Sequence, residues 1–92
     1  MMRVYIAGKI TGNPDYEDQF AEAENKLRAD GFDPINPAVN PEQPSWSDYM
    51  RVSMRQLLSC DAIALLDGWQ QSKGASLEAH VAESLQMLRI YL

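Results

Sequence analysis

The 92-residue chain is short of cysteine, histidine and basic charge, and each shortage excludes a class of protein. One cysteine cannot form an internal disulfide, and one cysteine with one histidine offers no cluster of metal ligands. The 8 Lys and Arg are scattered and outnumbered by 13 Asp and Glu, so the chain lacks the basic stripe that binds a phosphate backbone. Gly8 and Gly12 do not complete the Gly-x-Gly-x-x-Gly pattern of a nicotinamide site. We therefore expect no metal, no cofactor and no duplex nucleic acid as a partner.

Long hydrophobic runs are also missing. No apolar stretch approaches the roughly 18 to 20 residues of a membrane span, and the start, MMRVYIAG, lacks the apolar region of a secretory signal. These absences predict a cytoplasmic protein with no membrane partner. The length predicts one domain over residues 1–92, near the lower limit for a self-sufficient core. We expect such a thin core to be completed by assembly into a homodimer or homotetramer.

Apolar runs and turn residues predict four strands. Residues 4–7 form a short β-rich run that Gly8 ends, and residues 62–66 have no polar alternation, as in a central strand covered on both faces. Residues 32–36 include Pro34, which cannot donate to a ladder and favours an edge strand. Residues 89–92 predict the last strand.

Capping residues predict the helices between these strands. Asn13 can cap the first helix with Pro14 at its first position, and Gly31 marks its end. Ser45 and Asp48 form a capping pair that opens the second helix. A third helix is predicted to open at or near Ser72, with an apolar face directed at the core: Leu77, Val81, Leu85 and Leu88.

Alternating strands and helices predict an α/β fold. The chain should form a small doubly wound parallel sheet of about four strands and three helices, a flavodoxin- or Rossmann-like three-layer sandwich. Ligands of such sheets bind at the carboxyl ends of the strands, where the strand order reverses. That rule directs attention to residues 8–12, to residues 67–69 and to the start of the third helix.

Glu78 lies close to this predicted edge, on a helical stripe with Ala75, Ala82 and Leu85. One interpretation is a boundary glutamate that the helix dipole stabilises. The other is a partly desolvated carboxylate directed at the cleft. Composition alone favours the first, because most helical carboxylates are solvated.

Three segments carry a resemblance to a known family: VYIAGKITG, CDAIALLDGW and SKGASLE. Together they resemble the nucleoside 2-deoxyribosyltransferase-like superfamily, in a small branch from phage and bacterial genomes, over nearly the whole chain. The resemblance implies a covalent mechanism in which a glutamate attacks the anomeric carbon of a deoxyribose and the base departs. Glu78 matches that nucleophile, and Tyr5 matches the tyrosine that positions it; Tyr5 could equally be a buried aromatic whose hydroxyl simply finds a partner.

The resemblance also implies where a substrate binds. Ser72 stands where transferases often have an aspartate for the sugar 5′-hydroxyl, and relatives acting on 5′-monophosphates have serine. Together with Lys9, Lys73 and the backbone amides near Gly8, Gly12 and Gly74, this favours a phosphate over a free hydroxyl. Ser72 could instead be only a helix cap and Lys73 a solvated surface charge. The predicted substrate-binding residues are Gly8, Lys9, Ile10, Gly12, Trp69, Ser72, Lys73 and Gly74.

The chain departs from the family pattern at the group that protonates the leaving base. Family members commonly carry an aspartate on the helix before the central strand, and this position falls on Ser53 in this chain. Asp48 or Asp67 would have to replace it, or the acid is missing. The sequence therefore leaves two functions open. One is an N-glycosyl hydrolase or transferase for 2′-deoxynucleosides or their 5′-monophosphates, and the other is a non-catalytic nucleotide-binding or interaction domain.

Two tryptophans have two interpretations each. Trp46 and Trp69 could stack on a nucleobase, because an aromatic ring offers a π-face to any base. They could equally pack a loop against the core or against another subunit. Either role is compatible with a small-molecule nucleoside or nucleotide as the partner.

Overall fold

The computed structural model describes residues 1–92 and has a four-stranded parallel sheet. The strands are β1 (Arg3–Ala7), β2 (Asp33–Ile35), β3 (Ala62–Leu65) and β4 (Leu88–Tyr91), in the order β2-β1-β3-β4. The helices are α1 (Tyr16–Ala29), α2 (Trp46–Leu58) and α3 (Lys73–Ser84), with short 3₁₀ turns at Pro37–Val39 and Trp69–Gln71. This confirms the predicted α/β sandwich. The strand order reverses between β1 and β3, which is where such folds bind ligands.

Alternate side chains of the two central strands separate the core into two layers. Val4 and Ile6 of β1 pack on the α1 side, whereas Tyr5 and Ala7 pack on the side of α2 and α3. The same alternation holds in β3, which is fully buried as its unbroken apolar run predicted. Tyr5 therefore lies beneath α2 and α3, although its neighbours in sequence face the other way.

Most predicted boundaries are close to the observed ones, and Pro34 lies on an edge strand as expected. β4 begins one residue earlier than predicted. The start of α1 was predicted wrongly: Asn13 and Pro14 lie in the preceding turn, and Asp15 precedes the helix without a side-chain cap. Ser45 caps α2 as expected, with its hydroxyl accepting from the Asp48 amide at 3.1 Å.

The predicted apolar face of α3 is wrong for its leucines, whereas Val81 packs against the core as predicted. Leu77, Leu85 and Leu88 are 40%, 56% and 52% exposed. The buried residues of α3 are instead Ala75, Glu78, Ala79 and Ala82. Small side chains allow the helix to approach the sheet closely, so the face that enters the core is the alanine face rather than the leucine face. Glu78 is part of that buried face. None of the helices has both the length and the apolar character needed to cross a membrane.

Candidate active site

A cavity of about 510 Å³ opens beside the carboxyl end of β1, between that strand and the first turns of α2 and α3. One part of its wall is apolar and aromatic, and the part formed by residues 71–74 and 78 carries most of the polar groups. This position is the one that the sheet topology predicts for a ligand. The cavity is lined by Tyr5, Ile6, Gly8, Ile10, Thr11, Phe20, Pro37, Trp46, Tyr49, Met50, Gln71, Ser72, Lys73, Gly74, Ala75 and Glu78.

Glu78 and Tyr5 form the polar centre of this cavity. The Tyr5 hydroxyl donates a hydrogen bond to Glu78 Oε2 at 2.5 Å, the short length typical of an O–H donor on a carboxylate. Both side chains are buried, Tyr5 at 1% and Glu78 at 5% exposure. The bond joins β1 to the second turn of α3, so the sheet fixes the position of the carboxylate.

The second carboxylate oxygen of Glu78 faces the cavity. Every side-chain nitrogen or oxygen that is buried away from solvent has a hydrogen-bond partner. The hydrogen bond from Tyr5 reaches Oε2 of Glu78. Oε1 has no such partner, so it must keep some accessible surface. Since Glu78 lines the cavity, that surface opens into it. One oxygen is thus held by the protein and the other is available to a ligand.

Burial raises the pKa of Glu78 to about 7, although the Tyr5 hydroxyl and the nearby Ser53 hydroxyl lower it in part. At neutral pH this carboxyl is therefore close to its midpoint. Burial and then the charge of Glu78 raise the pKa of Tyr5 well above its usual range, so Tyr5 acts as a hydrogen-bond donor and keeps its proton.

Ser53 and Tyr49 of α2 lie near the Glu78 carboxylate. Ser53 is fully buried, and its hydroxyl donates to the Tyr49 carbonyl at 2.9 Å. A serine has one hydroxyl proton, so Ser53 can donate to Glu78 only by rotating away from that carbonyl. Burial, followed by the negative charge of Glu78, raises the pKa of Tyr49 to about 12.

The start of α3 contributes the polar rim. Ser72 caps the helix, with its hydroxyl accepting from the Ala75 amide at 3.1 Å, so the capping interpretation is correct for its hydroxyl. Lys73 lines the cavity, and its ammonium lies 4.2 Å from the centre of the Trp46 ring. This cation–π contact connects the first residue of α3 to the first residue of α2.

Two glycines bring the backbone close to the cavity. A Cβ atom at Gly8 would lie 3.0 Å from Leu66 Cδ1 and 3.2 Å from Phe20 Cζ. A Cβ at Gly74 would lie 3.1 Å from Met50 Sδ. Any larger residue would have to displace these neighbours, so both glycines keep the cavity walls in place.

Seven of the predicted site residues line the cavity together: Tyr5, Gly8, Ile10, Ser72, Lys73, Gly74 and Glu78. Five others do not line it: Lys9, Gly12, Asp48, Asp67 and Trp69. Asp48 instead accepts a hydrogen bond from Ser45 at 2.9 Å, and Asp67 is exposed. Trp69 packs against the core beside α3.

Several lining residues were not predicted, most of them on the apolar wall. Tyr49 and Met50 come from the first five residues of α2, and Pro37 from the loop after β2. Met50 repeats at helical spacing with Met54 and Leu57, a pattern that indicates core packing rather than a cavity wall. Nothing in the sequence shows that the start of α2 reaches the carboxyl end of β1, because that contact depends on the tertiary packing.

A solved structure resembles this fold closely. The chain superposes on a "2-desoxiribosyltransferase from Leishmania mexicana" with a TM-score of 0.77 and 21% sequence identity. The match covers 100% of this chain and 64% of that one, so the chain spans less than two thirds of that protein. At this identity the likeness establishes the fold, and it confirms the resemblance carried by the three sequence segments at that level. No curated protein sequence matches the chain.

One protein family matches as well. Its description is "Domain of unknown function (DUF4406)", and the match runs over residues 2–91. Since it includes β1, the cavity and all of α3, it covers every element that builds the candidate site. The protein therefore belongs to the DUF4406 family.

Proposed function

We propose that the cavity catalyses N-glycosyl transfer or hydrolysis on 2′-deoxynucleosides or their 5′-monophosphates. The observation that carries this proposal is the buried Glu78 carboxylate, held at Oε2 by Tyr5 and open to the cavity at Oε1. A cavity of about 510 Å³ has the size of sites that enclose small ligands. The fold shared with a protein named as a deoxyribosyltransferase supports the same chemistry.

In the proposed reaction, Glu78 Oε1 attacks the anomeric carbon of the sugar. The Oε1–C1′ bond forms as the C1′–N bond to the base breaks, giving a glutamyl-deoxyribose intermediate. Water or a second base then attacks C1′ and releases the Glu78 carboxylate. Tyr5 supports this cycle by holding Oε2, which leaves the other oxygen oriented towards the sugar.

A 5′-phosphate fits the rim better than a free hydroxyl. Lys73 supplies the one lysine or arginine side chain among the lining residues, and the backbone amides at the start of α3 favour an anion. We therefore expect deoxynucleoside 5′-monophosphates to bind more tightly than the nucleosides. The homodimer or homotetramer and the cytoplasmic location remain predictions.

A second candidate function is a nucleotide-binding domain without catalysis. Glu78 is the single carboxylate among the lining residues, and Asp48 and Asp67 lie outside the cavity. A missing general acid typically costs about 10²- to 10⁴-fold in rate, which would leave efficient exchange of ordinary bases out of reach.

The experiment that tests the proposed function follows free base by chromatography. The purified protein is incubated with a panel of 2′-deoxynucleosides and their 5′-monophosphates, with and without an acceptor base, beside a Glu78→Gln variant. We expect the wild-type protein to release free base and the Glu78→Gln variant to release none. Where the protein can use the acceptor base, a new nucleoside should form. Binding of the panel without release by the folded wild-type protein would establish the second candidate.

The role of the rim is tested by Lys73→Met, with Lys26→Met as the matched control. Lys26 lies on α1 and pairs with Asp30 at 3.3 Å, outside the cavity. We expect Lys73→Met to raise KM for the monophosphates and to leave KM for the nucleosides nearly unchanged. Equal effects on both substrate classes would exclude a phosphate contact at Lys73.

A further inference from the structure

The cavity contains one acidic group that titrates near neutral pH. Of its lining residues, only Tyr5, Tyr49, Lys73 and Glu78 have side chains that ionise. The Tyr5 proton is engaged by Glu78, and the Tyr49 hydroxyl is directed at the Pro37 carbonyl, 3.4 Å away. The Lys73 ammonium rests over the Trp46 ring. No lining aspartate, histidine or second glutamate stands opposite Glu78.

This arrangement limits the bases that can leave. A neutral base departs from C1′ with the bonding electron pair, so it becomes an anion unless an acid protonates it. Glu78 must be ionised to attack C1′ and cannot supply that proton in the same step. A base that already carries a positive charge becomes neutral on departure and needs no acid.

We propose that this cavity acts on N-glycosides of cationic bases, such as pyridinium or N7-alkylpurine 2′-deoxyribosides, an inference that rests on the proposed function. The Oε1–C1′ bond forms, the C1′–N bond breaks, and its electron pair returns to the ring nitrogen and cancels the positive charge. Water then attacks C1′, the bond to Glu78 breaks, and the proton of that water passes to solvent. No proton donor is required in the first step.

The cavity walls suit a cationic ring. Trp46 and Tyr49 are aromatic residues with exposed surface that line the cavity, and aromatic faces attract cations. A cation beside Glu78 also favours the ionised carboxylate, which offsets the effect of burial on that group. A neutral nucleoside provides no such compensation.

Lys73 adds a further selection. Its ammonium would repel a cationic ring, since both carry positive charge in the same cavity. A 5′-phosphate on the substrate neutralises Lys73 and removes that repulsion. The substrate class that fits all of these groups is therefore the 5′-monophosphate of a cationic N-glycoside.

The test compares two substrates that differ by one methyl group, which gives the leaving base its positive charge: 2′-deoxyguanosine 5′-monophosphate and its N7-methyl derivative. Nicotinamide 2′-deoxyriboside 5′-monophosphate serves as a second cationic probe. Each rate is divided by the spontaneous rate of the same compound under the same conditions, and Glu78→Gln is the control. We expect this rate enhancement over the spontaneous reaction to be larger for the cationic substrates by a factor of at least about 10².

The pH dependence gives a second readout. For nicotinamide 2′-deoxyriboside 5′-monophosphate, whose pyridinium ring has no acidic proton, kcat/KM should rise through the pKa of Glu78, about 7 in the free protein, and then stay level, because one protein group must be ionised and none must be protonated. A descending limb at higher pH that the substrate's own chemistry does not explain would reveal a catalytic acid and overturn the inference.

The remaining outcomes separate this inference from the proposed function. Equal enhancements for neutral and cationic substrates, both lost in Glu78→Gln, would overturn the inference and leave the glycosyl mechanism intact. Failure of the folded protein to release base from either cationic compound would overturn the inference. Failure on the whole panel of nucleosides and monophosphates as well, or release that Glu78→Gln retains, would overturn the proposed function too.

Discussion

Glu24 on α1 and Glu78 on α3 are the same side chain in two opposite settings. Glu24 is partly exposed and accepts hydrogen bonds from Asn36 and Arg28, each at 3.0 Å; these bonds hold its pKa below the ordinary value. Glu78 is buried, has one donor from a neutral tyrosine, and has its pKa raised to about 7. The two glutamates thus differ in which protonation state the fold favours.

The sequence contains the origin of this difference. Arg28 stands four residues after Glu24 and forms the expected ion pair across one helical turn. Gly74 and Ala82 stand four residues before and after Glu78, so no cation and no bulky polar side chain stands there. A helical glutamate flanked in this way must find a partner elsewhere in the fold or remain uncompensated, and here Tyr5 of β1 is that partner.

The largest effect is expected from Glu78→Gln. The folded state favours protonated Glu78, so the stability that this carboxyl contributes is complete below its ordinary pKa of 4.5 and is lost as the pH rises through about 7. The difference between pKa values of 4.5 and about 7 corresponds to about 3 kcal/mol in the free energy of unfolding. The free energy of unfolding of the uncharged variant should therefore exceed that of wild type by up to about 3 kcal/mol at pH 8.5. At pH 4 the two free energies should be nearly the same.

Urea unfolding of both proteins between pH 4 and pH 8.5 measures this difference. The shape of the curve is diagnostic, since a general loss of packing in the variant would shift its stability by the same amount at every pH. A difference between variant and wild type that does not change between pH 4 and pH 8.5 would show that the fold does not oppose ionisation of Glu78.

A smaller effect is expected from Tyr5→Phe, which removes the hydrogen bond to Oε2 and keeps the ring. At pH 8.5 the loss should be about 2 kcal/mol, the usual range for a hydrogen bond to a charged group. The pKa of Glu78 should also rise further, because Tyr5 lowers it in the wild-type protein. The decline in the free energy of unfolding with pH would then extend to higher pH.

A double-mutant cycle isolates that bond. In the Glu78→Gln background the partner is an uncharged amide, so Tyr5→Phe should cost less than in wild type at pH 8.5. The same cost in both backgrounds would mean that the tyrosine contributes packing alone.

The fold was largely predictable from this sequence, whereas the site was predictable only in part. The unbroken apolar run of β3 and the caps at Ser45 and Ser72 are local signals, and local signals survive folding. The face of α3 was predicted wrongly because leucines outrank alanines on any scale of hydrophobicity. The geometry of the sheet, which leaves room only for small residues, decided otherwise.

The site depends even more on contacts between distant segments. Tyr5 and Glu78 are 73 residues apart, and their pairing was expected from the family resemblance rather than from the pattern of the chain. The apolar wall from α2 had no such guide. Asp67 follows a buried strand at the expected edge, yet it is exposed, because Gly68 in a left-handed conformation turns the chain there.

The smallest effect, and one of opposite sign, is expected from Glu24→Gln. Its pKa is lowered, so the ionised group stabilises the fold above its ordinary pKa, and that contribution is lost as the pH falls through the lowered value. The pair with Arg28 lies at the surface, which limits the loss to about 0.5 kcal/mol at pH 7. The free energy of unfolding should be measured for both proteins at low and high salt and at neutral and acid pH. We expect the difference between Glu24→Gln and wild type to shrink as salt is added and as the pH falls. If Glu24→Gln instead gained stability at high pH, as Glu78→Gln should, the contrast between the two glutamates would arise from helix position and not from their partners.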